Sequence, residues 1–198
     1  MQPDPDRSLV DAAATGDRDA FDALVLRYQA RVVNLARALT ADDGEADDLA
    51  QETFIRVYKS IGRFRGQSTF RTWLYRVAVN VINSHLKSRT RRWKWFGRSL
   101  DQRVADRGGE RAAAQAVSPA PAVDEDAARR QLIDRALASL SPEMRTAVTL
   151  RDLHGFDYAE ISMMLGIPIG TVESRIFRAR QRLRPLLAEL IEGPAKPG

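Results

Sequence analysis

The sequence predicts an all-α protein, two small helical domains joined by a flexible linker. Three observations carry that prediction. Apolar residues recur at helical spacing through 17–39, 45–61, 68–92 and 127–184. No segment alternates apolar and polar residues as a half-buried strand would. A stretch rich in Ala, Gly and Pro, RGGERAAAQAVSPAPAVDED, separates the two helical blocks and holds too few large apolar groups to form a core. The chain has 198 residues, enough for one or two domains of roughly 100–150 residues each. The boundaries predicted are 1–97 for the first domain, 98–126 for the linker and 127–190 for the second domain.

Residues 6–14 read as a first helix. Residues 17–39 follow, with Phe21, Leu24, Val25, Tyr28, Val32, Leu35, Ala36 and Leu39 as an apolar stripe. TADDG at 40–44 breaks the pattern. Residues 45–61 form the next helix, burying Leu49, Phe54, Val57, Tyr58 and Ile61 to varying degrees. The segment IGRFRGQST is broken by Gly62 and Gly66 and ends at Ser68, a good N-cap for a helix over 68–92. Beyond the linker come helices over 127–140 and 142–153, the second announced by Ser141-Pro142-Glu143.

Residues 156–184, FDYAEISMMLGIPIGTVESRIFRARQRLR, then read as two short helices joined by a tight turn. Gly166 sits where a helix C-terminus needs a left-handed residue, and Pro168 suits the first turn of the next helix. Val172, Ile176, Ala179 and Leu183 form one buried stripe. Glu173, Ser174, Arg175, Phe177 and Arg178 fall mostly off it. Small Ser162 lets the helices approach. This is the pattern of a helix-turn-helix that places its second helix in the major groove. The plainer alternative is a surface hairpin with solvated arginines.

The net charge of +5 is unevenly spread. Residues 1–53 hold 5 basic and 12 acidic side chains, whereas residues 54–98 hold 12 basic and none acidic. A carboxylate-free block of that length suits a polyanion, because Lys and Arg near phosphates release counterions. The same block holds nine of the fourteen aromatic residues. Arginine interleaved with aromatics is what single-stranded nucleic acid asks for. Phe70 and Trp73 recur at helical spacing with Leu74, Val77, Ala78 and Val81, so they read as core. Phe64, in a loop between Arg63 and Arg65, is the better candidate for touching a base. Trp93, Trp95 and Phe96 could face DNA or cap the domain.

The absence of cysteine excludes disulfides and thiolate metal sites and fits a reducing cytoplasm. No run of about 18 apolar residues exists, and the polar, acidic start resembles neither a signal peptide nor a membrane anchor. A bacterial cytoplasmic location is therefore expected, with no membrane insertion. No cofactor and no metal are expected. Asp42, Asp43, Glu45, Asp47, Asp48 and Glu52 could form a magnesium cluster for a nuclease, but acidic helix starts are favoured by the helix dipole alone. His85 and His154 are isolated and read as structural or solvated.

Four blocks in order, DDLAQETFIRVYKSIGRFRG, STFRTWLYRVAVN, LSPEMRTAVTLRDLHGFDYAEISMMLGIP and GTVESRIFRARQRLR, closely resemble the sigma-70 family, specifically its small extracytoplasmic-function sigma factors of the sigma-E type. The resemblance implies a promoter −10 domain in the first half, the region 2 helical bundle. Its acidic helix face, with Asp48, Gln51, Glu52 and Arg56, would dock on the beta prime subunit of core RNA polymerase, with beta as a further partner. Phe64, Arg65, Gln67, Ser68 and Thr69, with Asn80, would capture a flipped base of single-stranded −10 DNA, and Arg71, Arg76 and Lys87 would hold the strand. The second half resembles region 4, the −35 reader. There Thr171, Glu173, Ser174, Arg175, Phe177, Arg178 and Arg182 would meet double-stranded DNA.

The resemblance further implies a non-enzymatic initiation subunit in a stress or envelope response, held inactive by an anti-sigma factor, membrane-linked or zinc-binding. The resemblance is to the small members, for which the acidic extension and middle domain of housekeeping sigma factors are not expected. Asp124, Glu125 and Asp126 of the linker are candidates for mimicking RNA near the exit path. The alternative is a helix-turn-helix regulator that acts without replacing sigma, which leaves the basic block at 54–98 unexplained.

Overall fold

Every element of the chain is helical among the described residues. The structure, a computed structural model, describes residues 4–40, 42–104 and 125–188, and for 43, 90–104 and 125–128 the backbone alone. The order is α1 (Arg7–Ala14), α2 (Arg18–Thr40), α3 (Asp43–Ser60), a 3-10 turn (Ile61–Arg63), α4 (Phe70–Val104), α5 (Glu125–Ala138), α6 (Pro142–Val148), a π-helical turn (Thr149–Leu153), α7 (Tyr158–Leu165) and α8 (Ile169–Leu186).

The first half is built around α2, whose predicted stripe of Phe21, Leu24, Tyr28, Val32, Leu35, Ala36 and Leu39 is buried against α1, α3 and α4. Asp17 starts this helix by accepting from the Ala20 amide at 3.0 Å. Asp42 starts α3 by accepting from the Gly44 amide at 3.0 Å. The N-terminal segment is pinned by Asp6, almost fully buried, which receives hydrogen bonds from the Arg27 guanidinium and the Tyr28 hydroxyl. Burial and the bond to Asp6 raise the Tyr28 pKa above the usual phenol range.

Two expectations are corrected. Ser68 does not cap the helix over 68–92: its hydroxyl donates to the Thr69 carbonyl at 3.2 Å. Thr69 is the cap, accepting from the Thr72 amide at 3.2 Å, and Asp4 accepts from the Phe70 amide at 2.6 Å. A carboxylate 66 residues away does what a local hydroxyl was expected to do. The same helix also continues past residue 92 to Val104. Residues 93–104 contain no proline and a single glycine, so nothing local stops the ladder. The early part of the expected linker is therefore helical; 105–124, with Asp124, lies outside the described residues, as do the side chains of Trp93, Trp95, Phe96, Glu125 and Asp126.

In the second half Ser141 caps α6 through the Met144 amide at 3.4 Å. The expected helix over 142–153 widens after Val148 into the π turn. Asp157 and Glu160 form a reciprocal capping box at the start of α7. Gly166 ends it in the left-handed region at φ 65°, and Val172, Ile176, Ala179 and Leu183 are buried along α8 as the spacing predicts.

The halves are packed together. One apolar cluster runs from Val10 through Ile82 to Ala147, Leu150, Phe156, Ile161, Met164, Val172 and Ile176. A second joins Ala38 of α2 to Ala136, Leu137, Leu140, Val148, Ala179 and Leu183. Arg145 ties them further, donating to the Leu39 carbonyl at 3.0 Å and the Ala138 carbonyl at 2.8 Å.

A test isolates the turn geometry. A Cβ added at Gly166 would meet nothing within 4 Å, so Gly166→Ala adds only left-handed backbone strain. It should lower unfolding stability by about 1–2 kcal/mol in urea titrations. An unchanged midpoint would contradict the assigned turn.

Candidate nucleic-acid interface

The loop after α3 is shaped by Gly66 at φ 66°, a conformation costly for any residue with a side chain. It folds Phe64 back onto the start of α4. The Phe64 ring lies 5.2 Å from that of Trp73 and 6.3 Å, edge-on, from that of Phe70. Phe70 is fully buried, while Phe64 and Trp73 are half-buried. Beside them opens a pocket of about 180 Å³, lined by Arg63, Phe64, Arg65, Gln67, Ser68, Trp73, Arg76 and, from α7, Met163. Aromatic faces, an amide, a hydroxyl and three arginines without a carboxylate are the groups that stack on and hydrogen-bond a splayed base.

Five of the −10 candidates, Phe64, Arg65, Gln67, Ser68 and Arg76, thus share one pocket. Thr69 is occupied in capping the helix and sharing a 2.9 Å hydrogen bond with the Thr72 hydroxyl. Asn80 and Lys87 are exposed. At 3.6 residues per turn they lie within about 40° of Arg76 around α4. Arg71 lies about 140° away from Arg76 by the same period, so it does not join that face. Arg89, also basic, is engaged by Glu45 at 3.0 Å, beside His85.

The pocket residues missing from the sequence-level candidates are Arg63, Trp73 and Met163. Trp73 carries a helical-core spacing that hides its second, pocket-facing role. Nothing local marks Met163, because its place depends on how the halves meet.

On α3, Asp48, Gln51, Glu52 and Arg56 are all exposed along one face, with Ile55 48% exposed among them. Glu52 and Arg56 form a 2.5 Å ion pair one turn apart. An exposed isoleucine framed by carboxylates is a surface suited to a protein partner rather than to DNA.

On α8 the face opposite the buried stripe carries Glu173, Phe177, Arg178 and Arg182, all exposed, with Thr171, Ser174 and Arg175 half-buried beside them. Phe177 is 63% exposed, unusual for a large ring unless a partner covers it. Arg180, off this face, is held by Asp152 at 2.5 and 3.0 Å and fastens α8 to the π turn.

Between the halves, the α4 residues Arg71, Thr72 and Tyr75 meet the segment 154–160. The Arg71 guanidinium donates to the His154 carbonyl and lies 4.0 Å over the Phe156 ring. The Thr72 hydroxyl donates to Glu160 at 3.0 Å. The Tyr75 hydroxyl and His154 Nδ1 are 2.9 Å apart, and the Tyr75 ring packs edge-on against Phe156 at 4.6 Å. His154 is therefore a structural residue and not an isolated one, which corrects the expectation. Burial, then the Arg71 and Arg31 charges, push its pKa down to about 4.

Residues 24–92 match the Sigma-70 region 2 family, and residues 130–183 match Sigma-70, region 4. The chain is 40% identical over 191 residues to the RNA polymerase sigma-H factor of Pseudomonas aeruginosa, covering 93% of this chain and 96% of that one. It is 37% identical over 186 residues to the ECF RNA polymerase sigma-E factor of Escherichia coli K12, covering 94% and 96%. Among solved structures it resembles the sigma factor RpoE of Bartonella quintana in complex with the anti-sigma factor NepR, at TM-score 0.63 and 28% identity, over 85% of this chain and 96% of that one. It also resembles CnrH in complex with the cytosolic domain of CnrY, at TM-score 0.63 and 26% identity, over 92% and 97%.

The His154 environment has a pH signature. The imidazole binds its proton at about 4 when folded and at the ordinary 6.5 when unfolded. Its neutral-form stability is full above pH 6.5 and is lost as pH falls through about 4, by at most about 3 kcal/mol. Urea unfolding from pH 7 to 4 should show a shallower fall for His154→Gln than for the parent. Parallel profiles would contradict the buried, neutral imidazole.

Proposed function

This chain belongs to the sigma-70 family, and we propose that its two halves form the two reading ends of one promoter-recognition subunit. It is an alternative sigma factor of the extracytoplasmic-function type. It binds core RNA polymerase and directs promoter-specific transcription initiation in a stress response, under anti-sigma control. Sigma factors are non-enzymatic regulators of transcription, and no enzymatic step is assigned to this chain. No helix among the described residues is long and apolar enough to cross a membrane; action in the bacterial cytoplasm, alongside polymerase, follows from the family.

We assign residues 1–97 to core binding and −10 capture, and 127–190 to −35 reading, joined through 98–126. The observation that carries this reading is the Phe64–Trp73 pocket in a carboxylate-free block, on the same chain as an exposed recognition helix. Taking a base out of the stack costs a few kcal/mol. Stacking on Phe64 and Trp73 offsets it, at about 1–3 kcal/mol per base. Arg65 and Arg76 at the pocket, with Lys87 further along α4, neutralise the strand's phosphates. Gln67, Ser68 and Asn80 read the base edge.

On α8, Arg175 and Arg178 suit the paired acceptors of guanine, and Phe177 suits a thymine methyl group. Thr171, Glu173, Ser174 and Arg182 complete the groove face. The α3 face of Asp48, Gln51, Glu52 and Arg56 is assigned to the beta prime subunit. One of the similar solved structures is a sigma factor held by an anti-sigma factor, which supports a partner of that class here; we take that partner to be membrane-linked or zinc-binding. A regulator acting without replacing sigma uses α8 but gives the pocket on α4 no task.

Run-off transcription with core polymerase on the chain's own upstream region tests the assignment. Arg175→Ala or Arg178→Ala should lower specific initiation about 5- to 150-fold, the equivalent of 1–3 kcal/mol. Glu52→Ala should weaken core binding while the thermal midpoint stays unchanged, because its ion pair is exposed. Parental output from all three variants would refute the reading.

A further inference from the structure

The short turn before α1, Asp4-Pro5-Asp6, crosses to the start of α4 behind the base pocket. The Asp4 carboxylate accepts from the Phe70 amide at 2.6 Å and from the Asp6 amide at 3.1 Å. The Arg7 amide closes the turn on the Asp4 carbonyl at 3.1 Å, and Pro5 removes one backbone freedom within it. Asp6, 1% exposed, anchors the turn by accepting from the Tyr28 hydroxyl and the Arg27 guanidinium. The Tyr28 ring in turn stands edge-on to Phe70 at 5.8 Å. Phe70 is thus held by its backbone through Asp4 and by its ring through the partner of Asp6.

The first helix also backs the loop. A Cβ at Gly66 would fall 2.5 Å from Nη1 of Arg7, and one at Gly62 would fall 3.7 Å from the Ala14 carbonyl oxygen. The loop that presents Phe64, Arg65, Gln67 and Ser68 therefore lies on α1 at both of its glycines. Phe70 stands behind the pocket, with the Phe64 and Trp73 rings 6.3 and 5.9 Å away.

We propose that Asp4 is a positioning residue for base selection at the −10 element, acting through Phe70 on the walls made by Phe64 and Trp73. The inference rests on the pocket reading above and deepens it. None of the residues assigned to the −10 strand precedes Phe64, and the region 2 match, residues 24–92, leaves Asp4 out.

The physical argument is that of a helix start. The first amides of a helix have no partner within it. On α4 two of them are met by side chains: Thr72 by its neighbour Thr69, and Phe70 by Asp4. A carboxylate in that place is favoured by the helix dipole, and its hydrogen bond is stronger than a neutral one. Removing it leaves the amide of a fully buried residue without its acceptor and loosens the turn that aims Trp73, three residues on. A site that discriminates between bases needs its walls held to within about 0.5 Å. Slack at Phe70 therefore costs selectivity at the pocket, while the distant α8 is untouched.

The test uses holoenzyme, this chain with core polymerase, on barcoded libraries of the chain's own upstream region. One library is randomised across the −10 element and the other across the −35 element. Asp4→Ala should lower the preference for the favoured −10 bases roughly three- to tenfold, the worth of one hydrogen bond, and leave the −35 preference at parental strength. Asp4→Asn keeps a carbonyl oxygen for the Phe70 amide and should recover part of the −10 preference. Asp17→Ala removes another acidic cap from the same half, the one that starts α2. It should lower total output without changing either preference. A −10 preference unchanged in Asp4→Ala, or lowered as much by Asp17→Ala, would overturn the positioning role. Phe64→Ala separates the two claims, because it should flatten the −10 preference whatever Asp4 does. If it does not, the pocket assignment fails, and the positioning role with it.

Discussion

The amphipathic period of α4 is the constraint on which the other features depend. One helix must serve three clients. Phe70, Leu74, Ala78, Val81 and Ile82 face the core and are fully buried. Trp73, Arg76, Asn80 and Lys87 face the pocket and the path beyond it. Arg71, Thr72 and Tyr75 face the second half. A period of 3.6 residues spreads these duties around the helix, although Tyr75 belongs to the core as well as to the contact with the second half. The helix start is fixed twice, by Thr69 on the Thr72 amide and by Asp4 on the Phe70 amide. That double fastening sets where Trp73 points and hence where the pocket opens.

Charge is arranged around the same helix. The block at 54–98 carries no carboxylate of its own, and among the described residues α3 supplies counter-charges, Glu52 to Arg56 among them. Glu45 of α3 takes Arg89, with His85 alongside. Outside that block, Asp6 takes Arg27 on α2. Arg65 and Arg76 at the pocket face none of these carboxylates, which keeps the pocket's field positive where a strand would pass. Buried, paired charge fixes the scaffold; the charge left at the rim gives long-range attraction that salt will screen.

Much of this was legible in the chain. Local periodicity yields the helices, and the buried stripe of Val172, Ile176, Ala179 and Leu183 lies where the spacing put it. Turn chemistry yields Gly166 and the Ser141 cap. Phe64 was legible as a loop aromatic between arginines. What escaped has a common physical origin. The Asp4 cap, the Arg71–His154 bond and the Thr72–Glu160 bond join residues 66, 83 and 88 positions apart. No local pattern encodes such pairs. Arg71 was therefore grouped with its basic neighbours, His154 read as isolated, and Met163 not singled out. The helix past residue 92 escaped for another reason: a polar, basic surface looks like a boundary even where nothing breaks the backbone ladder.

The central claim is that one chain reads DNA with two halves that are together when it is free and apart when it works. Labels at Lys59→Cys and Gln181→Cys, both exposed and outside the assigned contact residues, report that separation through electron-spin or energy-transfer distances. The free chain should give one short distance. Addition of core polymerase and promoter DNA should lengthen it toward the roughly 85 Å between the two elements. A distance that stays short in an initiating complex, or one already long in the free chain, would contradict the claim.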